Sequence, residues 1–322
     1  MQLHRRTLLA GVAGAALAPA ARAQDGWPAR PVRVIVPFSA GSTPDATARA
    51  TTEPLRNALG QPFVVENRLG ANGTIGMAQV ARATDGHTLG VFTNGVATAS
   101  ALYPELPFDP ARDFRFLSLL TRAPQILVVR PGVAVHDFAG FLAYAGANPG
   151  RLSFGSVGIG ATSHLAMEEL EELYRVDLVH VPYAGLPPAK LDLLAGRIDV
   201  LLVTAASVLP EIRAGNARPI AIAASRRYGL LPEVPTFAEV GATDMESYAW
   251  NGLVAPSALP AAAATRLVSA ARAAFAEPAV RGAMEGAGFE VVASSPEEFS
   301  QIVKAETERW GGLVRRLGLR AG

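Results

Sequence analysis

The 322 residues include no cysteine. That excludes disulfides, thiolate metal sites and a lipid anchor on a cysteine. An excess of one charge is also missing, with 29 Lys and Arg against 28 Asp and Glu. Such a chain has no global field with which to hold nucleic acid or an anionic membrane. After the first residues no run reaches transmembrane length, about 20 strongly apolar residues, without a charge, Gly or Pro. Histidine is sparse and scattered, at 4, 87, 136, 164 and 180, without the spacing of a metal cluster. There is no repeat of solenoid period and no low-complexity linker. What is present is a 50% hydrophobic composition, ample for a buried core.

The first 23 residues stand apart. Arg5-Arg6 is followed by the mildly apolar run from Leu8 to Ala20, then by Ala21-Arg22-Ala23. A basic start, a short apolar core and small residues before a cut form the layout of a secretory signal peptide. Cleavage after Ala23 and export to the periplasm are expected, and the paired arginines point to the twin-arginine route. Removing Arg5, Arg6 and Arg22 leaves 26 basic against 28 acidic residues, a net charge of −2.

From there short Val/Ile-rich runs alternate with helical stretches. Residues 31–38, 61–68 and 87–95 read as strands, with helices over 46–60 and 74–83 between them. Pro54 should kink or split the first helix. A second series follows, with strands at 151–156, 177–183, 198–205 and 218–225 and helices at 164–174, 187–196 and 207–214. Such β–α–β units predict an α/β fold of two lobes, each a mostly parallel sheet flanked by helices. Two apolar segments, 116–132 and 248–259, should cross between the lobes. Lobe one is then 24–124 plus 254–322, and lobe two 125–253. The helices over 264–318 should pack on lobe one.

Ligands of open parallel sheets bind beyond the carboxyl ends of the strands. The loop Pro37 to Asp45 joins a strand to a helix start and, Phe38 apart, carries small residues. Its backbone can approach a ligand, and the helix adds unpaired N–H groups and a positive dipole end. Asp45 reads as the helix cap. The loop Ser156 to His164 has the same form in lobe two. Its Gly158-x-Gly160-x-x-Ser163 falls short of a dinucleotide fingerprint, because the third glycine is missing and no acid ends the next strand. A cradle for an anion fits better. Asn94, at a strand end in lobe one, offers both a donor and an acceptor, although a plain turn explains it equally well.

Enzyme readings are weaker. Ser156 and His164 lack a Gly-x-Ser-x-Gly elbow. Glu168, Glu169, Glu171 and Glu172 read as a solvated helix face. Trp250 and Trp310 read as packing residues.

The blocks at 31–49, 61–95, 102–114, 155–170, 179–202, 231–241 and 250–260 together resemble the periplasmic solute-binding proteins of tripartite tricarboxylate transporters, the Bordetella uptake gene (Bug) family. The resemblance implies a two-lobed, type II-like periplasmic binding protein that closes on a small organic acid or amino acid. It implies a receptor rather than an enzyme, a monomer without a cofactor, and membrane subunits of a transporter as partner. A sensor kinase is the alternative partner, and a hydrolase using Ser156 the more distant alternative. Carried over residue by residue, the ligand contacts are Phe38, Ser39, Ala40, Gly41 and Ser42 in lobe one. In lobe two they are Ser156, Gly158, Thr162, Ser163 and His164, with Asp199 either toward the ligand's far end or structural. Three departures bear on ligand identity: Pro44 in a loop that is usually Gly-Gly-Gly-Thr-Asp, Ala184 where the family has lysine, and Thr204-Ala205 where it has Asp-Asn.

Overall fold

The computed structural model describes residues 26–103 and 105–320. The expected signal peptide, 1–23, lies outside them. In chain order the first part is β1 (Val32–Val36), α1 (Thr43–Leu59), β2 (Phe63–Asn67), α2 (Thr74–Ala81), β3 (Thr88–Thr93), α3 (Asn94–Leu102) and β4 (Phe114–Val129). There follow α4 (Phe138–Ala147), β5 (Ser153–Ser156), α5 (Thr162–Tyr174), β6 (Val179–Pro182), α6 (Leu186–Leu194), β7 (Val200–Thr204), α7 (Ala205–Arg213) and β8 (Arg218–Ala223). The last are β9 (Tyr248–Pro256), α8 (Ala261–Ala276), α9 (Pro278–Gly286), β10 (Glu290–Val291) and α10 (Pro296–Leu317).

The strands run in the order β2-β1-β3-β9-β4-β7-β5-β6, with β8 and β10 also paired to β4. In the first lobe β1 is parallel to β2 and β3, and β9 lies antiparallel between β3 and β4. In the second lobe β5 is parallel to β6 and β7, and β4 runs antiparallel to β7 and β8. The α/β architecture of sheet and flanking helices is the expected one.

β4 makes the lobes one body. It is a single strand of 16 residues. Phe114 to Pro124 pair with β9, and Gln125 to Val129 pair with β7 and β8. The outgoing crossing is therefore at Pro124-Gln125. The return crossing is fixed just before β9, where Gln125 N donates to Ser247 O and Ser247 Oγ to Gln125 Oε1 at 2.7 Å. β9 then pairs only within the first lobe, so residues 248–253 sit with lobe one rather than with lobe two, as the expected boundary had it.

Alternating side chains divide each half-sheet into two packed faces. In lobe one Val32, Val34 and Val36 face α1 and α8, while Ile35 and Phe92 join Met77, Val96, Trp250 and Phe299 on the other side. In lobe two Leu127, Phe154 and Leu202 pack on α4 and α5, and Val128, Leu201 and Val203 on α6 and α7. α1 continues through Pro54 as one helix.

The C-terminal helices depart from expectation in one respect. α8 packs on the first lobe, against α1 and β4. α10 straddles both lobes. Phe299 and Val303 lie in the first lobe's core, whereas Trp310, Leu313 and Val314 lie in the second lobe's core with Leu165 and Leu170. The acidic run on α5 explains this, because it is an ion-paired face and not only a solvated one. Glu169 receives Arg309 in a two-pronged ion pair, and Glu172 receives Arg316 in another. Glu168 bonds His164, and Glu171 accepts the Leu178 N–H. Both tryptophans are core residues, Trp250 being 3% and Trp310 1% exposed. Each such burial contributes about 1.5–3 kcal/mol.

Candidate functional site

Each lobe's parallel strands end at the crossing. Thr93 of β3 pairs with Asn251, Asn251 with Thr121 of β4, and Gln125 of β4 with Thr204 of β7. The carboxyl ends of β1, β3, β5 and β7 and the starts of α1, α3, α5 and α7 therefore border one interlobe cleft.

In lobe one Ser39, Ala40 and Gly41 are exposed, with Phe38 and Ser42 half-buried. Ser42, not Asp45, is the N-cap of α1. Asp45, in the first turn, reaches back to accept the Gly41 N–H at 2.9 Å. Its carboxylate is 3% exposed and also receives Arg49 Nε and Asn67 Nδ2, each at 3.0 Å. Burial would raise the Asp45 pKa, but the bonds from Arg49, Gly41 and Asn67 outweigh it and hold the carboxyl below its ordinary value. Asn67 also donates to Phe38 O, which fixes the loop's start. Gly41 has φ 80°, and a Cβ built there meets nothing within 4 Å. The loop is thus tied down from below and open above.

Two hydroxyls at this end have no partner. Ser42 Oγ and Thr93 Oγ1 are buried atoms without a hydrogen bond, and Thr93 is 6% exposed. Both residues are helix N-caps, of α1 and α3, and neither makes the usual cap bond. An unsatisfied buried hydroxyl costs about 1–3 kcal/mol, so it calls for a partner.

In lobe two the loop folds on itself. Val157 N donates to Ser163 Oγ, Gly158 N to Ser156 Oγ and Gly160 N to His164 Nδ1. Ser156, Ser163 and His164 are all buried, at 0, 2 and 2% exposure. They shape the loop, whose accessible members are the exposed Val157 and Ile159 and the half-exposed Gly158 and Thr162. His164 Nδ1 accepts, so Nε2 carries the proton and donates to Glu168 Oε1 at 3.1 Å.

His180 of β6 is a member that sequence reasoning missed. Its Nε2 lies 2.7 Å from Ser156 Oγ. Its ring stacks on His164, with centroids 3.9 Å apart at 17°, and on Phe154 at 4.8 Å. Burial first, then the adjacent His164, lower its pKa to about 4, against a smaller opposing effect of Glu168. Ser156 is therefore paired with His180 rather than His164, and its hydroxyl shapes the loop. His164, Glu168 and His180 hold donor atoms within 4.8 Å of one another. The stacked rings argue against a shared ion. Imidazole lone pairs lie in the ring plane, and two nearly parallel planes cannot both aim at one ion at 2.0–2.1 Å.

Two expected contacts lie elsewhere. Asp199 stands at the start of β7, the end away from Thr204, where it binds Arg130 Nε at 2.8 Å and Ser153 N at 2.9 Å. It is structural and cannot reach the cleft. Asn94 is 4% exposed, and its amide bonds Tyr248 O and Trp250 N. It pins α3 to β9.

The family model for the tripartite tricarboxylate transporter family receptor, TctC, matches residues 47–319. The chain belongs to this family. Its members are receptors, not enzymes. A protein from the tcbD-tcbE intergenic region of Pseudomonas sp. strain P51 is 38% identical over 99% of this chain and 96% of its own length. The periplasmic binding protein BugD is similar in structure, with a TM-score of 0.80 and 33% identity over 91% of this chain and 99% of its own. MatC of Rhodopseudomonas palustris, solved with bound malate, gives a TM-score of 0.80 and 34% identity over 89% of this chain and 100% of its own.

Proposed function

We propose that the protein is a periplasmic receptor that captures a small carboxylate in the interlobe cleft and delivers it to the membrane subunits of a tripartite transporter. The observation that carries this is the pair of unpartnered hydroxyls, Ser42 Oγ and Thr93 Oγ1, at the starts of α1 and α3. A carboxylate there would accept both hydroxyls and gain the positive ends of two helices. Ser39, Ala40, Gly41 and Ser42 would supply the lobe-one face, and Gly158 and Thr162 the lobe-two face. Malate bound to MatC supports the ligand class.

The deciding experiment is mass spectrometry of small molecules released by denaturing protein taken from the periplasm of its own host. One carboxylic acid should be recovered in near-stoichiometric amount, and mature chains should begin at Gln24. Recovery of an uncharged sugar or an amine would overturn the reading. With the acid identified, calorimetry on Thr93→Val should show affinity weakened by roughly three- to tenfold, as for one lost hydrogen bond.

A further inference from the structure

We propose that a carboxylate in the cleft and a proton on His180 are taken up together, each favouring the other, through the Ser156–His180 hydrogen bond beneath the lobe-two loop. This rests on the carboxylate reading above.

Ser156 ends β5, and its hydroxyl is the node of the loop that follows. It lies 2.7 Å from His180 Nε2, 3.2 Å from Gly158 O and 3.3 Å from Gly158 N. A hydroxyl has one proton to give. While His180 is neutral with Nε2 unprotonated, that proton points inward to the imidazole. Once Nε2 is protonated the imidazole donates, and the hydroxyl must turn its proton outward, toward Gly158 O and the cleft side. Protonation thus reverses the hydroxyl and places a positive charge under the loop. Both changes favour an anion above it.

The neighbouring groups allow His180 to be the one that changes. His164 and Glu168 of α5 are the titratable groups facing it. The adjacent β5 contributes Phe154 and Ser156, which carry no charge. His164 Nδ1 accepts the buried Gly160 N–H. Protonating it would leave that N–H facing another N–H. His180 has no such obstacle, since Ser156 Oγ can accept. In the free protein burial, the larger cause, keeps its pKa down, to about 4. An anion nearby raises that value, and by reciprocity a falling pH tightens the anion.

The test is calorimetry of malate and adipate binding at pH 7.0 and 5.5, each in two buffers of different ionisation enthalpy. Wild-type protein should take up a fraction of a proton that grows toward the lower pH. Its affinity should tighten roughly three- to tenfold more over that interval than that of Ser156→Ala or His180→Asn. Titration of the acids themselves is common to all three proteins and cancels. Imidazole NMR of the wild type gives a check independent of the variants, as the His180 midpoint should move up on adding acid. Binding without extra proton uptake and with an unmoved His180 midpoint overturns the coupling alone. If neither acid raises the melting temperature, the carboxylate reading falls and the coupling with it.

Discussion

The two cleft loops use one device with different materials. In each, a glycine N–H is taken by the side chain four residues on: Gly41 by Asp45, and Gly160 by His164. Lobe one uses a buried carboxylate, balanced by Arg49 and Asn67. Lobe two uses an imidazole backed by Glu168 and a second histidine. Their surroundings also differ. Lobe one's loop is exposed at Ser39, Ala40 and Gly41. Lobe two's loop is wedged against the other lobe, for Leu102 at the end of α3 sits where a Cβ on Gly160 would be, 2.1 Å away. Val157 and Ile159 of the lobe-two loop are exposed as well, so the two rims differ in how they are anchored rather than in exposure.

The largest effect should separate these rims. Gly160→Leu must displace Leu102 and adopt φ 75°, so it should cost about 3 kcal/mol or more. Gly41→Leu has free space and pays only for its positive φ, about 1–2 kcal/mol. Chemical denaturation of the two variants measures the difference. Equal losses would mean that the lobe-two loop is no more tightly packed than its counterpart.

A somewhat smaller effect tests the charged device. Asp45→Ala removes three bonds to a buried carboxylate and should cost roughly 2–3 kcal/mol at pH 7. The sign of the pH dependence follows from its depressed pKa. The stabilisation is complete above the ordinary carboxylate value near 3.8 and is lost as pH falls through the lower folded value. The difference between wild type and variant should therefore shrink as pH falls below the ordinary carboxylate value near 3.8. A difference that stays constant in acid would show that Asp45 acts by packing rather than by charge.

Much of this was legible in the chain. Val/Ile/Leu runs before small-residue loops marked β1 and β7, because a buried parallel strand needs such residues whatever it pairs with. The position of the lobe-one loop followed. What could not be read depends on partners distant in sequence. α3, NGVATASAL, is buried on most sides, so it shows no polar stripe to reveal a helix. Asp199 looked like a ligand group, yet the register of β5 against β7 gives it Ser153 instead. His180 carries no spacing signal. It reaches Ser156 only because β6 lies beside β5, with Phe154 opposite His180. The acidic run on α5 looked solvated because its arginines lie 140 or more residues away, on the far half of α10.

That strap yields the smallest effect and the most specific one. Arg309 bonds Glu169 with two nitrogens and also donates to the Asp244 and Glu246 carbonyls, so one guanidinium joins α10, α5 and the segment before the return crossing. The pair is mostly screened from water, at 32% and 17% side-chain exposure. A double-mutant cycle of Arg309→Ala and Glu169→Ala should give a coupling of about 1 kcal/mol. Arg316 and Glu172, farther along the helix and more exposed, should give less. The functional consequence is local. α5 begins at the lobe-two loop, so loosening its body should speed amide exchange at Gly158 and Gly160 and leave residues 39–42 unchanged. Exchange that rises equally in both loops would show that α10 stiffens the whole molecule rather than the lobe-two rim.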